Sequence, residues 1–375
     1  MSVQEYFSLV FTDYTLRTIT MGTAILGVVC GMLGSFAVLR KQSLLGDAIS
    51  HAALPGIVIA FLITGAKNSN TLLVGALISG LIGTFWIRGI VKNTHLKSDT
   101  ALGLILSLFF GFGMLLLTFV QKMPNAQQAG LDKYLFGQAA TLVESDVMLM
   151  AVVMGISLLV LIIFWKEFKL QHFDPDYSKS LGFNTYFLDV VMTSLIVLAI
   201  VIGLQTVGVV LMSAMLLAPA AAARQWTNNL GIMIFLAALF GAMSGIFGTA
   251  ISATSNNLST GPVIVLIAAA IVVISFIFSP GRGLLFKEIR HWKNRNDLQL
   301  HKTLYFMYEI AKTHRDISHP HHVRILNDFQ GYTRNSLKNL EVREYITIEG
   351  AMWSMTQKGY EKAMNLYNQQ ENLND

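Results

Sequence analysis

The sequence predicts an all-α membrane protein of eight or nine spanning helices, followed by a small α+β domain. Of its 375 residues, 53% are hydrophobic and 13% are charged, whereas a soluble protein carries about 25% charged residues. Apolar residues fall in runs of about 20, the length that a helix needs to cross a bilayer core. This composition excludes an ordinary soluble enzyme, and the single cysteine excludes an intrachain disulfide.

Nine apolar runs are candidate spans, and they justify the helical bundle element by element. They lie at residues 16–39, 44–64, 71–91, 100–120, 147–165, 187–204, 207–223, 230–251 and 262–279. Only Gln205 and Thr206 separate the sixth run from the seventh, so eight spans also fit. Lys and Arg concentrate in the loops after the odd-numbered runs. Because cytoplasmic loops are enriched in these residues, we expect an outside N-terminus and a cytoplasmic C-terminus.

A separate domain follows the last run. Residues 284–375 contain 13 of the 27 Lys and Arg residues and 11 of the 22 Asp and Glu residues. Nearly half of the charge therefore lies in the last quarter of the chain. We predict a membrane-spanning domain at residues 1–285 and a cytoplasmic domain at residues 286–375.

An acid and an imidazole lie inside the second predicted span, where ionisable side chains are costly and usually functional. Asp47 and His51 are four residues apart, so a helix places them on one face. Their oxygen and nitrogen donors suit Mn, Fe or Zn. Ser50 is placed to hydrogen-bond a ligand, and Pro55 with Gly56 is expected to interrupt the helix. A self-satisfied Asp–His pair and a proton relay are the alternatives. A metal site needs more ligands, which predicts a second copy or a partner.

Two further segments carry candidate functional residues. Met212, Met215 and Pro219 lie in the seventh span, where the thioethers are candidates for the translocation path, although core filling is the commoner role of methionine. Between the fifth and sixth spans, Asp174 before Pro175 predicts the start of a short helix that ends at Gly182. This helix, Pro175–Leu181, is a candidate docking element for a soluble partner.

Three segments resemble the signatures of one transporter family. The segments 46–56 (GDAISHAALPG), 173–182 (FDPDYSKSLG) and 213–224 (SAMLLAPAAAAR) are similar to those of permeases of metal-type ABC importers, and Leu135-Phe136-Gly137 also fits. The resemblance implies an ABC-importer permease bundle in the bacterial cytoplasmic membrane. It also implies that Asp47 and His51 bind the transported Mn, Fe or Zn ion. The coupling residues would be Asp174, Pro175, Ser178, Leu181 and Gly182.

The same resemblance implies the partners. They are a cytoplasmic ABC ATPase dimer, a second permease chain (identical or a close paralogue) and an extracytoplasmic metal-binding protein. The chain lacks any Gly-Lys dipeptide and therefore a Walker A loop, so ATP would be used by the partner subunit. No covalent cofactor is expected. A proton-coupled secondary metal transporter and a membrane-tethered metal-responsive regulator are the alternative functions.

The tail is similar to the winged-helix domain of iron- and manganese-dependent repressors. Apolar spacing predicts a helix around Leu298–Ala311, Ser318-His319-Pro320 predicts a helix start, and Ile346–Met355 predicts two strands around a turn. Its charge balance is only 13 − 11 = +2, so we do not expect it to bind nucleic acid. A regulatory or protein-binding role is favoured. His319, His321 and His322 are candidates for metal sensing in this domain.

Overall fold

The computed structural model confirms a mainly helical chain that divides into two compact units, Met1–Gly283 and Leu284–Asp375. The structure describes residues 13–66, 68–122, 137, 139–254, 258–313, 318–328 and 334–374. The predicted division, after residue 285, lies two residues beyond this one. Leu135 and Phe136, which contribute to the family resemblance, lie outside the described residues.

Within the described part of the chain, nine helices are long and apolar enough to cross a membrane. They are α1 (Tyr14–Leu39), α2 (Leu45–Thr64), α3 (Ser69–Asn93), α4 (Ser98–Gln121), α5 (Glu144–Ile163), α8 (Thr185–Thr206), α9 (Val209–Trp226), α10 (Leu230–Ala253) and α11 (Thr260–Phe278). These described residues give nine spans rather than eight because Gly208, with a φ of 90°, separates helix α8 from helix α9. Glycine adopts this left-handed conformation without steric cost.

Two short helices connect α5 to α8. Helix α6 (Trp165–Phe173) and helix α7 (Pro175–Ser180) are separated only by Asp174. The sequence predicted α7 but treated the residues of α6 as a connecting loop, because charged residues interrupt any apolar period there. Phe168 explains why this segment is helical, since its fully buried ring packs edge-on against Phe36 of α1.

Helices α1, α2 and α8 are the most buried spans, and they form the centre of the bundle. Helix α1 packs most extensively against α10 and also contacts α9, whereas α2 packs against α3 and α4. Helix α8 contacts both groups. In the outer spans α4, α5 and α11, fewer than a third of the residues are buried, as expected of lipid-facing helices.

Glycines allow α1 and α10 to approach closely. A Cβ on Gly27 would overlap the backbone of Gly241, and a Cβ on Gly241 would overlap the backbone of Gly27. Thr23 adds a polar contact at this interface, because its hydroxyl lies 3.0 Å from that of Thr249. Small residues permit this approach where lipid provides no hydrophobic drive for helix association.

The second unit is a small α+β domain. Its elements are α12 (Leu284–Lys312), β1 (His321–His322), a 3₁₀ turn (Val323–Asp328), α13 (Arg334–Val342), β2 (Ile346–Glu349), β3 (Met352–Met355) and α14 (Gln357–Asn374). The antiparallel sheet has the order β1-β3-β2. The predicted helix start at Ser318-His319-Pro320 is wrong, because β1 pairs with β3 there. The predicted hairpin forms around Gly350, and the winged-helix resemblance stays a prediction.

Substitution of Gly27 tests the packing of α1 on α10. We expect Gly27→Val to destabilise the protein by about 1–3 kcal/mol or more, because the new side chain overlaps the backbone of Gly241. Gly111→Val is the matched control, since a Cβ at Gly111 meets open space. Thermal unfolding of the detergent-purified chain measures both variants. Equal unfolding temperatures would contradict this packing.

Candidate functional site

Asp47 and His51 lie one turn apart in α2, and both are partly exposed. The imidazole packs edge-on against Phe110 of α4, with ring centroids 4.7 Å apart. Its Nδ1 is buried and has no hydrogen-bond partner within the described structure. A buried polar atom without a partner is costly, so the imidazole is not satisfied by its own chain within the described structure. The pair therefore forms an incomplete polar site on an accessible face of α2.

Close backbone packing positions this turn of α2. Gly46, directly before Asp47, lies against Ser213 of α9, where a Cβ would come 3.0 Å from the Ser213 Cα. On the other side, Ser79 of α3 donates a hydrogen bond of 2.6 Å to the carbonyl oxygen of Ala52. The segments 46–56 and 213–224 thus meet in the fold, so the second segment supports the helix that carries the pair.

Pro55 does not interrupt α2, and the predicted break is wrong. The helix runs from Leu45 to Thr64 with Pro55 inside it. A proline cannot donate the helical hydrogen bond to the carbonyl four residues earlier, which is that of His51. Neighbouring helices make such a proline tolerable in a spanning helix. Pro55 therefore leaves the backbone carbonyl of His51 without its usual helical hydrogen-bond donor.

The other predicted path residues lie in the core. Ser50 is buried, and its hydroxyl donates to the Gly46 carbonyl at 2.7 Å. Met212 packs against Gly203, and the Met215 sulfur accepts a hydrogen bond from Ser244 at 3.9 Å. Pro219 is buried within α9. The structure does not bring these four side chains together with Asp47 and His51, and their role in a translocation path stays a prediction.

The segment 173–182, which we call the coupling segment, forms a capped helix as its sequence indicates. Asp174 accepts a hydrogen bond of 2.9 Å from the Tyr177 amide, and Pro175 occupies the first turn. The helix ends at Ser180, one residue before the predicted end, and Gly182 follows with a φ of 84°. Such a positive φ favours glycine.

Part of the coupling segment offers an apolar surface. Leu181 is 53% exposed and Tyr177 is 52% exposed. Ser178 faces inward, and its buried Oγ has no partner within the described structure. Tyr177 was missed by sequence reasoning, although its spacing of four residues from Leu181 is the available signal. An exposed aromatic and an exposed leucine on one short helix are suited to docking a protein partner.

A partly buried polar cluster joins α6 to the spans, and we call it the α6 polar cluster. It consists of Arg40, Arg88, Gln171, His172, Asp189 and Thr193. Arg40 Nη2 lies 2.5 Å from Asp189 Oδ1, and Arg40 Nε donates to His172 Nε2 at 2.8 Å. Gln171 donates to the same Asp189 oxygen at 2.6 Å, and Arg88 donates to the Asp189 carbonyl and to Thr193.

Sequence reasoning missed the α6 polar cluster. Arg40 and Arg88 were interpreted only as loop charges that set orientation. The available signal was Asp189, a carboxylate inside the sixth predicted span, where an ionisable residue calls for a partner. No sequence pattern indicated that its partner lies 149 positions away, at the end of α1.

His172 is uncharged at neutral pH. Burial, and secondarily the positive charge of Arg40, lower its pKa to about 4, against the opposing effect of its hydrogen bond to the Phe168 carbonyl. The neutral ring uses both nitrogens, since Nδ1 lies 2.7 Å from the Phe168 oxygen while Nε2 accepts from Arg40. Protonation of Nε2 would remove the acceptor for Arg40.

The histidines of the tail are only partly brought together. His319 and His321 have ring centroids 5.3 Å apart, and His321 also lies over Trp353. His322 is exposed while His321 is buried, because successive residues of β1 point to opposite faces. Across the described residues, no three side chains of His, Cys, Asp or Glu come close enough to hold a metal ion. Metal sensing by the tail stays a prediction.

Comparison with known proteins supplies the context for these sites. A family model described as the ABC 3 transport family matches residues 12–279. The zinc transport system membrane protein TroC of Treponema pallidum is 52% identical over 288 residues, which cover 76% of this chain and 95% of TroC. A solved structure of PsaBC from Streptococcus pneumoniae in complex with Fab matches with a TM-score of 0.66 and 33% identity, covering 75% of this chain and 98% of that chain.

One relative also matches the tail. The manganese transport system membrane protein MntC of Bacillus subtilis is 44% identical over 343 residues, which cover 91% of this chain and 79% of MntC. A match of this length extends beyond the first structural unit, which ends at Gly283. At least part of the tail is therefore similar to a relative that is named for manganese transport.

The pKa of His172 predicts an acid-sensitive fold. An unfolded histidine has a pKa of about 6.5, so between pH 6.5 and 4 the unfolded chain binds a proton that the folded chain excludes. The stabilising contribution of the neutral His172 is complete above pH 6.5 and is lost as the pH falls towards 4. We expect acidification from about pH 7.5 to 5 to lower the unfolding temperature of the wild type more than that of His172→Gln. An equal decrease in both proteins would contradict this pKa.

Proposed function

Because the chain belongs to the ABC 3 transport family, we propose that it imports a divalent transition metal ion and that Asp47 and His51 bind this ion during transport. The chain is a multi-pass membrane permease, and ATP hydrolysis is assigned to a separate ATPase. The observation that carries the proposal is the partial exposure of Asp47 and His51, one turn apart on α2. An ion bound between them would take the Asp47 carboxylate and the His51 imidazole as ligands.

The metal site is proposed to be shared by two permease chains. One chain supplies one carboxylate and one imidazole, which cannot complete a tetrahedral shell. A second copy, or a close paralogue, would present the same pair across a two-fold axis and complete an Asp₂His₂ site. The partial exposure of both side chains supports this arrangement, because a site buried within one chain could not be completed from outside.

The coupling segment is proposed to dock on a cytoplasmic ABC ATPase dimer. The exposed Tyr177 and Leu181 would contact the ATPase, and the cap made by Asp174 would fix the direction of the helix. The basic residues after the odd-numbered spans support an orientation with this segment and the C-terminus in the cytoplasm. An extracytoplasmic protein would deliver the metal to the opposite side of the bundle.

We favour manganese or iron over zinc as the transported metal. Donor chemistry alone does not separate these ions, since oxygen and nitrogen ligands suit all three. The tail supports the choice, because it resembles the winged-helix domain of iron- and manganese-dependent repressors and matches a relative named for manganese transport. The tail itself is proposed to be a regulatory domain.

Substitution of the pair tests the metal site. We expect Asp47→Ala and His51→Ala each to lower Mn²⁺ uptake by about 100-fold or more, because loss of a ligand costs at least as much as loss of its supporting groups. Asp99→Ala and His95→Ala are matched controls, since both residues are exposed near the start of α4. Uptake by cells that depend on this transporter is the measurement. Wild-type uptake in either α2 variant would contradict the assignment.

Competition among metals tests the choice of ion. We expect excess unlabelled Mn²⁺ or Fe²⁺ to suppress uptake of labelled Mn²⁺ more strongly than the same concentration of Zn²⁺. The wild-type complex in proteoliposomes, with ATP inside or outside as the orientation requires, gives this comparison directly. Stronger competition by Zn²⁺ would overturn the preference for manganese or iron while leaving the metal site itself intact.

A further inference from the structure

The α6 polar cluster lies between the two regions that ATP-driven metal transport must connect. Arg40 directly follows α1 and comes seven positions before Asp47. The intervening turn is tight, since Lys41 has a φ of 57° and Gln42 donates to the Ala37 carbonyl at 3.2 Å. A displacement of Arg40 would therefore move the start of α2.

The other side of the cluster leads to the coupling segment. His172 and Gln171 belong to the last turn of α6, and only Asp174 separates α6 from α7. The backbone is continuous through this junction, where the Asp174 amide donates to the Leu170 carbonyl at 2.8 Å. A movement of α7 would therefore also move His172, which lies less than one helical turn before α7.

Hydrogen bonds hold these two sides against a common anchor in α8. Asp189 accepts from Arg40 at 2.5 Å and from Gln171 at 2.6 Å through the same oxygen, Oδ1. Gln171 also donates to the Thr185 carbonyl at 3.0 Å. Arg88 of α3 donates to the Asp189 carbonyl. Four helices therefore meet at one carboxylate and its backbone.

The connection is partly shielded from solvent. The Arg40 side chain is 17% exposed and the Asp189 side chain is 43% exposed. The fully buried Phe36 ring lies 4.9 Å from the His172 ring, so apolar contacts support the hydrogen bonds. His172 and Gln171 of α6 bond to Arg40 and Asp189 respectively. Movement of α6 away from α1 and α8 would therefore break these hydrogen bonds.

From this placement we infer that Arg40, His172 and Asp189 are positioning residues that transmit movement of the coupling segment to the metal-bearing end of α2. The inference rests on the proposed function. Arg40 is the central member, because it bonds to both α6 and α8 and also leads into α2. Metal binding itself stays with Asp47 and His51, and docking of the ATPase stays with α7.

The test measures Mn²⁺ uptake and ATP hydrolysis in the same proteoliposomes, using the complete complex with its ATPase and extracytoplasmic binding protein. We expect Arg40→Gln and Asp189→Asn each to lower the number of ions moved per ATP by about tenfold, a usual size for coupling between sites. The number of ions moved per ATP should fall no further in the double variant than in either single variant, because each substitution removes the same Arg40–Asp189 connection. Unfolding temperature and ATPase assembly are measured on every variant.

Three further variants separate coupling from general stability. His172→Gln retains an acceptor for Arg40 and should keep the wild-type number of ions moved per ATP. His172→Leu has no acceptor and should lower that number. Arg282→Gln is the control arginine, since Arg282 bonds only to Asn228 among the hydrogen bonds described and touches no part of the cluster. It should also keep the wild-type ratio.

The outcomes distinguish this inference from the proposed function. A wild-type complex that hydrolyses ATP without moving Mn²⁺, Fe²⁺ or Zn²⁺ would refute the proposed function. A coupled wild type together with Arg40→Gln and Asp189→Asn variants that keep its ratio would refute the inference alone. Parallel loss of uptake and hydrolysis at a constant ratio would also refute it, because that result indicates a structural role without transmission.

Discussion

One turn of α2 must hold a carboxylate and an imidazole at an accessible face while the next two turns of that helix, residues 52–58, remain buried. Neither group is stable in lipid alone, since ionisable side chains inside a membrane are costly. Packing of Gly46 against α9 and the hydrogen bond from Ser79 to Ala52 fix the turn from two sides. The remaining helices provide the rigid surroundings that make this placement possible.

The architecture follows from the same constraint. Helices α3, α4, α8 and α9 pack against α2, and α2 still presents Asp47 and His51 on a partly exposed face. A half-site of two ligands requires symmetry to become a metal site. Family membership, an exposed coupling segment and an incomplete ligand set are therefore consistent with the proposed arrangement of paired permeases driven by a separate ATPase.

Much of the fold and of the candidate site could be predicted from the sequence, because membrane helices and helix caps depend on local patterns. Apolar runs identified the spans, and the spacing of Asp47 and His51 placed them on one face. Tertiary contacts could not be predicted in this way. Helix α6 depends on burial of Phe168 rather than on an apolar period, and the Arg40–Asp189 pair joins positions far apart in the chain.

Anomalous diffraction at the manganese absorption edge, from crystals of the assembled complex grown with Mn²⁺, tests the central claim most directly. The account predicts one peak on the two-fold axis between permease chains, within bonding distance of Asp47 and His51 from both copies. A complex that transports Mn²⁺ but holds its ion away from α2, with these side chains facing lipid, would contradict it.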